Sequence, residues 1–334
     1  MRGTDGPAVS RRRRRLVGHL HSEAMSAPTV PPQHPRGAGR YAPSPSGDLH
    51  LGNLRTAILA WALARRSDRA FHLRLEDLDR VQEGSAQRQL EDLVAIGLDW
   101  DGDVVRQSAR GASHAEAIDH LVDRGLVYEC YCTRREILEA PSAPHAPPGA
   151  YPGTCRDLTE PERAAGRQRM HELRREPALR LRAGTTTWRV HDLWAGEVTG
   201  TVDDLVLRRG DGVVAYNLAV VVDDAAAGVD QVTRADDLLS SAPRQAHLAH
   251  LLGLPEPGYA HVPLAVNAAG ARLAKRDGAV TLRDRLERGE SAADVVGHIG
   301  DSLGLPGCRR AADVLERWEP GSLSSQPWLV RLAD

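Results

Sequence analysis

The chain has few aromatic side chains. Phe, Trp and Tyr together make up 4% of its 334 residues, with a single Phe, and Met occurs three times. A core must therefore be filled by Leu, Val and Ala. The length allows one large or two ordinary domains, and hydrophobic residues still reach 41%, so most of the chain should fold. Long apolar runs are missing as well. Runs such as Val213–Val222 are far shorter than the ~20 residues a membrane-crossing helix needs, which excludes a bilayer span. No charge sign dominates: the formal net charge is −2, so no overall basic field announces a nucleic-acid partner and any RNA contact must be local. There are four cysteines, with Cys130, Cys132 and Cys155 close together and Cys308 alone. A disulfide framework spreads its pairs along the chain, so this clustering points to a reduced, cytoplasmic setting and to a metal.

Residues 1–38 differ in kind from the rest. They are rich in Arg, Pro, Ser and Gly, with Arg11–Arg15 consecutive, and no apolar stretch long enough for a secretory signal follows. This composition predicts a disordered or non-native extension, with Met25 nearer the true start. From Gly39 the pattern becomes that of a folded domain. Gly39–Ala42 predicts a short strand and Pro43–Gly47 a loop, followed by a helix over His50–Arg66 with Leu51, Leu54, Ile58, Leu59 and Leu63 on one face. Ala70–Leu75 reads as a buried strand, and residues 85–96 and 112–124 as helices. This alternation predicts a parallel α/β sheet. Residues 129–160 interrupt it with the cysteines and the Pro-rich Pro141–Gly149 loop. A polar helix over 160–175 and strands near Leu179–Arg182, Trp188–Asp192 and Asp204–Arg208 follow. Val213–Val222 reads as a strand or a strand leading into a helix, ended by Asp223 and Asp224. Residues 238–252 read as a helix, and the chain after Arg276 as mostly helical and polar.

Three motifs carry chemistry. His50–Asn53 stands at a helix start behind a Pro/Ser/Gly loop, where backbone N–H groups and the helix dipole favour an anion. Gly47 and Gly52 let a phosphate or nucleotide ring approach, and His50 can donate a hydrogen bond to it. Read alone, the segment is an ordinary helix capped by Ser46 or Asp48. Arg272–Arg276 lies between Gly270 and Gly278 and can close over a triphosphate, stabilising charge as pyrophosphate leaves; read alone it is a solvated basic turn. Cys130, Cys132 and Cys155 offer three soft ligands where zinc usually takes four. His145 is the chemically ordinary fourth. Competing readings are a disulfide from Cys155 to Cys130 or Cys132, and three unrelated thiols.

The strings Arg40–Asn53, Arg74–Arg80, Gly97–Gly102, Ala215–Asp224 and Arg272–Arg276 together resemble the class I aminoacyl-tRNA synthetases of the glutamyl type, above all their short paralogues. The resemblance runs from about Gly39 to about Arg283. It implies a Rossmann-type parallel sheet with a zinc-containing insertion and a short helical C-terminal region, without an anticodon-binding domain. It makes His50–Asn53 the HIGH-like and Arg272–Arg276 the KMSKS-like element. It implies catalytic roles for His50 and Lys275, and ATP binding by these two with Gly52, Asn53 and Arg272. Arg40, Tyr41, Ala42, Pro43 and Ser44 would line a glutamate pocket, with Arg40 meeting a carboxylate as a two-donor fork. Glu76 would take the α-ammonium, and Tyr216 and Arg234 would complete recognition. Taken singly, Glu76 and Arg234 read as members of structural ion pairs. Tyr151 matches an unusual fourth zinc ligand of the paralogues. A phenol, with a usual pKa of about 10, must ionise to bind, and a divalent cation favours that. One structural zinc on Cys130, Cys132, Tyr151 and Cys155, and Mg2+ accompanying ATP, are the implied cofactors.

The implied division places 39–128 and 196–258 as the two halves of the catalytic domain. Residues 129–195 become the zinc-binding, acceptor-facing insertion, and 259–334 the KMSKS-like loop and helical C-terminal region. Two departures stand out: Arg272-Leu-Ala-Lys-Arg276 lacks both serines of KMSKS, and Ala235 follows Arg234 where glycine is expected. The stretch from Arg276 to Asp334 is short for a domain, so no separate anticodon module is expected. The paralogues instead attach glutamate to the queuosine base of tRNA(Asp), so the implied partners are ATP, L-glutamate and the tRNA(Asp) anticodon stem-loop, with no membrane and no DNA. Other readings are a truncated enzyme charging the terminal ribose of tRNA(Glu), a catalytically weak RNA-binding paralogue, and a small nucleotidyltransferase.

Overall fold

A computed structural model describes residues 37–139, 151–273 and 280–330. Along the chain run β1 (Ala38–Tyr41), α1 (Leu51–Arg66), β2 (Ala70–Leu75), α2 (Ser85–Ala95), β3 (Val105–Arg106), α3 (Gly111–Asp123), β4 (Val127–Cys130) and α4 (Arg134–Glu139). Next come α5 (Glu160–Glu172), β5 (Ala178–Leu181), β6 (Thr187–Asp192), β7 (Gly196–Thr201), β8 (Val206–Arg208), α6 (Tyr216–Ala226), β9 (Val229–Ala235) and α7 (Ala242–Leu252). β10 (Gly258–Val262), β11 (Ala265–Val266), α8 (Leu282–Glu287), α9 (Ala292–Ser302), α10 (Ala311–Arg317) and β12 (Trp328–Leu329) complete it.

The seven-stranded sheet has the order β3-β2-β1-β9-β10-β6-β7. All neighbouring pairs are parallel except β6–β7, which is antiparallel at the edge. Parallel neighbours need crossover connections, and α1 supplies the one between β1 and β2. All four residues of β1 are buried, as a central parallel strand requires. A separate antiparallel sheet, β4-β5-β8, carries Cys130 at the end of β4, and the chain returns to the large sheet with β6. Thus the parallel α/β expectation holds.

Two sequence expectations are corrected. First, α1 is not one-sided: every residue from Leu54 to Ala64 is buried. Its apolar stripe faces β1 and β9, while its other faces are covered by α9 and α10. Ala57, Ala60, Ala62 and Ala64 make that close approach possible; a Cβ at Gly39 on β1 would lie 2.9 Å from the Ala64 Cβ. The C-terminal helices are consequently less polar in effect than their composition suggests. Val295, Val296, Ile299, Val314 and Trp318 join the same core cluster as α1. Second, Val213–Val222 follows the strand-to-helix alternative, with Val214 bridged to Arg208 before the helix begins, but its end is misplaced. It leads into α6, and Asp223 and Asp224 lie inside that helix, buried, rather than ending it. They are tolerated there because each has partners: Gln107, Arg110 and His114 for Asp223, Arg40 and Arg74 for Asp224.

Trp318 is completely buried and its ring centre lies 6.3 Å from that of Trp194. Trp318→Ala is expected to cost about 3–5 kcal/mol of folding stability, as for other large-to-small core changes. Denaturant unfolding with unchanged m-value measures this; a loss below ~1 kcal/mol would show that the C-terminal helices are not part of the cooperative core.

Candidate functional site

The second-last residues of three neighbouring parallel strands are Arg40 (β1), Arg74 (β2) and Arg234 (β9). The carboxyl ends of such strands are where open α/β sheets build ligand sites. Arg40, only 4% exposed, places Nε 3.3 Å from both carboxylate oxygens of Asp224 and donates from Nη1 to the Thr233 carbonyl at 3.0 Å. Arg74 donates to Asp224 Oδ1 at 2.5 Å and to Glu76 Oε1 at 3.3 Å. Burial pushes the Asp224 carboxyl up, but Arg40 and Arg74 outweigh it and hold the group below its usual range. Glu76 goes the other way: burial dominates over Arg74 and Arg40, and its carboxyl is pushed up. The cluster comprises three guanidiniums and two carboxylates.

The loop after β1 is held in place by backbone bonds. Glu76 N–H donates to the Pro43 carbonyl at 3.0 Å, and the Gln89 side chain donates to the Ser44 and Gly47 carbonyls. Tyr41 donates through its hydroxyl to the Asn53 carbonyl at 3.2 Å, tying β1 to the start of α1. Tyr216, 37% exposed at the first turn of α6, feels the charges of Glu76, Arg234 and Arg40. The structure therefore brings Arg40, Tyr41, Pro43, Ser44, Glu76, Tyr216 and Arg234 into one neighbourhood, with Ala42 between two of them in the chain.

His50 is the N-cap of α1, a place the sequence reading gave to Ser46 or Asp48. Its Nδ1 accepts the Asn53 backbone N–H at 3.2 Å, and the Asn53 side chain accepts the His50 backbone N–H at 3.1 Å. This reciprocal box places the ring proton on Nε2, leaving it as a donor. Burial, reinforced by Arg272 and partly opposed by Asp237, pulls His50 down to about 4, so the ring is neutral at ordinary pH. Gly52 is required by crowding: a Cβ there would lie 2.8 Å from the Ala265 Cβ and 3.1 Å from the His50 ring. Leu51 N–H donates to the Val280 carbonyl at 2.8 Å, which brings the far side of the KMSKS-like loop to the helix start. Arg272 pairs with Asp237 at 2.6 Å. Lys275, the only lysine in the chain, and His145 lie outside the described residues.

At the other cluster, the Cys130, Cys132 and Cys155 sulfurs lie within 4.8 Å of one another, and all four cysteines are free thiols, which removes the disulfide reading. The Tyr151 hydroxyl stands 3.4 Å from Cys130 Sγ and 3.8 Å from Cys132 Sγ, and Cys132 Sγ is 3.5 Å from Cys155 Sγ. Four ligands around a tetrahedral ion with bonds near 2.3 Å stand about 3.8 Å apart, so the arrangement has the size of a metal site. Cys155 N–H donates to the Tyr151 oxygen at 2.8 Å, and the Arg180 guanidinium sits 3.6 Å from the Tyr151 ring centre. The hydrogen bond with Cys155 pulls the Cys130 thiol down to about 5, against burial, while burial pushes the Tyr151 phenol up.

Sequence reasoning assigned no role to Arg74, Asp224, Asp192, His261 or Gln245. For the first two a signal existed, namely charged residues inside otherwise buried segments. For the others no local pattern marks them.

The family described as tRNA synthetases class I (E and Q), catalytic domain, matches residues 38–293. A protein from Nocardia farcinica named glutamyl-Q tRNA(Asp) synthetase is 60% identical over 306 residues, 92% of this chain and 95% of that one. One of the same name from Cutibacterium acnes is 52% identical, covering 80% and 76%. A glutamate tRNA ligase structure from Elizabethkingia meningosepticum, in complex with its amino acid, superimposes with a TM-score of 0.73 at 22% identity, covering 88% of this chain and 67% of that one. Its likeness is one of fold. Among the described residues no helix is long and apolar enough to cross a membrane.

Because His50 titrates lower in the folded chain than its usual 6.5, the unfolded chain binds the proton first. The His50 contribution is complete above that value and is lost as pH falls toward about 4. His50→Asn keeps a capping side chain without this titration. Urea unfolding at about pH 7 and about pH 5 is expected to show a smaller acid-side loss for the variant than for wild type. Equal losses would remove His50 as an acid-sensitive group.

Proposed function

The chain belongs to the class I tRNA synthetases of the E and Q type, and from that premise we propose that it activates glutamate with ATP and transfers it to the queuosine base of tRNA(Asp). The observation that carries the amino-acid part is the charge pattern at the strand ends. Arg40 and Arg74 pair with Asp224, and Arg74 also with Glu76, while Arg234 bonds to neutral acceptors, so the three guanidiniums exceed the two carboxylates by one positive charge. Free glutamate, with two carboxylates and one ammonium, supplies one net negative charge. Glu76 is the acceptor for the ammonium; Arg40 and Arg234 take the carboxylates. The 60% identity to a protein named for glutamylating tRNA(Asp) supports the acceptor.

The reaction has two steps. An oxygen of the glutamate α-carboxylate attacks the α-phosphorus of ATP, and pyrophosphate leaves. A hydroxyl of the queuosine cyclopentene ring then attacks the activated carbonyl, AMP leaves with the bonding electrons, and the hydroxyl proton passes to the departing phosphate or to solvent. The protein acts by positioning and by stabilising charge on the phosphates. The α1 N-terminus with the His50 Nε2–H, Gly52, Asn53, Arg272 and Lys275 are the groups assigned to ATP. Mg2+ enters with ATP, held through its phosphates.

The cysteine cluster fits a zinc ion on Cys130, Cys132, Cys155 and Tyr151. When bound, the ion would tie the end of β4 to the segment around Cys155, a structural role. Under this reading 39–128 and 196–258 carry the residues assigned to glutamate, 129–195 carry the metal ligands, and 259–334 close the nucleotide end.

The deciding experiment uses tRNA from strains with and without queuosine. Glutamate-dependent ATP–pyrophosphate exchange, and glutamate incorporation only into queuosine-containing tRNA(Asp), are expected. Undiminished incorporation into queuosine-free tRNA would replace the proposal with charging at a terminal ribose, and absent exchange would remove it altogether. Arg234→Ala is expected to raise the KM for glutamate about tenfold to a hundredfold with little change for ATP.

Elemental analysis is expected to find one zinc per chain, lost in Cys155→Ser and reduced in Tyr151→Phe. Full occupancy in Tyr151→Phe would return the fourth position to another ligand.

A further inference from the structure

Behind Arg234 stands a buried polar chain in which the position of each proton is determined. Asp192 is fully buried. Its Oδ1 accepts the backbone N–H groups of Trp194 and Ala195 at 2.9 and 2.8 Å. Its Oδ2 accepts the backbone N–H of His261 at 3.0 Å and lies 2.7 Å from His261 Nδ1. His261 is directly opposite Arg234 in the parallel register of β10 and β9, and its Nε2 lies 3.0 Å from Arg234 Nε. A guanidinium nitrogen can only donate, so His261 Nε2 is the acceptor and the ring proton is on Nδ1, facing Asp192. Asp192 thus sets the tautomer of His261, and His261 sets the direction of Arg234.

The other bonds of Arg234 run from Nη1 to Gln245 Oε1 at 2.7 Å and from Nη2 to the Leu238 carbonyl at 3.3 Å. Gln245 is itself oriented by donating to Asn217 Oδ1 at 3.0 Å. Imidazole, amide and carbonyl are all neutral acceptors, and among the described residues no ion pair of Arg234 is found. Arg40 and Arg74, by contrast, share the carboxylate of Asp224. Of the five N–H groups of Arg234 three are committed, leaving one on each Nη. A carboxylate in place of His261 would fix the side chain equally well but cancel its charge.

We infer that Asp192 and His261 are positioning residues for amino-acid binding: they fix Arg234 through a neutral acceptor, so that its full positive charge is kept for a substrate carboxylate. This rests on the glutamate reading given above.

Asp192→Asn tests it most sharply. Both carboxylate oxygens receive backbone N–H groups, but only Oδ2 also faces an atom that can become an acceptor, His261 Nδ1. The amide nitrogen therefore takes the Oδ2 position and donates to Nδ1, which moves the ring proton to Nε2, against the Arg234 N–H. In the full chain, the KM for glutamate in ATP–pyrophosphate exchange is expected to rise about tenfold or more, with that for ATP within about twofold. His261→Glu, which supplies an acceptor but neutralises the charge, should also lose glutamate. His261→Gln, which offers a neutral acceptor oxygen, should stay closer to wild type than His261→Ala. Imidazole 15N shifts should report Nδ1–H for His261 in wild type and Nε2–H in Asp192→Asn, independently of substrate. Glutamate and ATP constants that shift together, a Gln variant as impaired as Ala, or an Nε2–H tautomer in wild type would each overturn the positioning role. A wild-type chain with the expected tautomer but no glutamate-dependent exchange would instead overturn the glutamate reading, and with it the substrate named here.

Discussion

The Asp224 carboxylate is the point on which the site depends. It is buried in α6 and shared by Arg40 from β1 and Arg74 from β2, so one acidic group fixes a helix against two adjacent strands. Burying one charge is costly unless it is paired, and an excess of cations around one anion leaves those cations attractive to a further anion. The same carboxylate also determines what Glu76 can be. With Asp224 taking the strongest bond from Arg74, Glu76 is left with a single long one, and burial raises its pKa. A carboxylate poorly served by its neighbours is one that gains from an incoming ammonium group.

The strands and most helices were legible because their apolar periodicity is local. β2 is the clearest case, found over Ala70–Leu75 as expected. The all-round burial of α1 was not, because its alanines carry no sign of a partner and the helices that cover them lie far along the chain. The α6 segment was ambiguous for a related reason. A run of valines bounded by two aspartates looks like the end of a strand unless the distant arginines and His114 that satisfy those aspartates are known.

In the candidate site, motif strings named the residues, yet their physical setting came only from the structure. His50 was expected to follow a cap; it is the cap, because Asn53 completes the reciprocal bond and lets imidazole do what Ser or Asp commonly does. Tyr151 entered by resemblance alone, and the structure sets its oxygen within hydrogen-bonding reach of two of the three thiols. Asp192 and His261 had no signature, since their relation to Arg234 exists only across the parallel register of β9 and β10.

The covering of α1 also bears on the order in which the chain can become native. Its solvent-opposed faces are closed by residues as late as Val314 and Trp318. A chain emerging from the ribosome can pair β1 with β2 early, but α1 keeps an apolar flank in water until α9 and α10 have been made. The start of α1 thus matures after β1 and β2 have their register. Formation of the His50-capped start of α1 is thereby coupled to completion of α9 and α10.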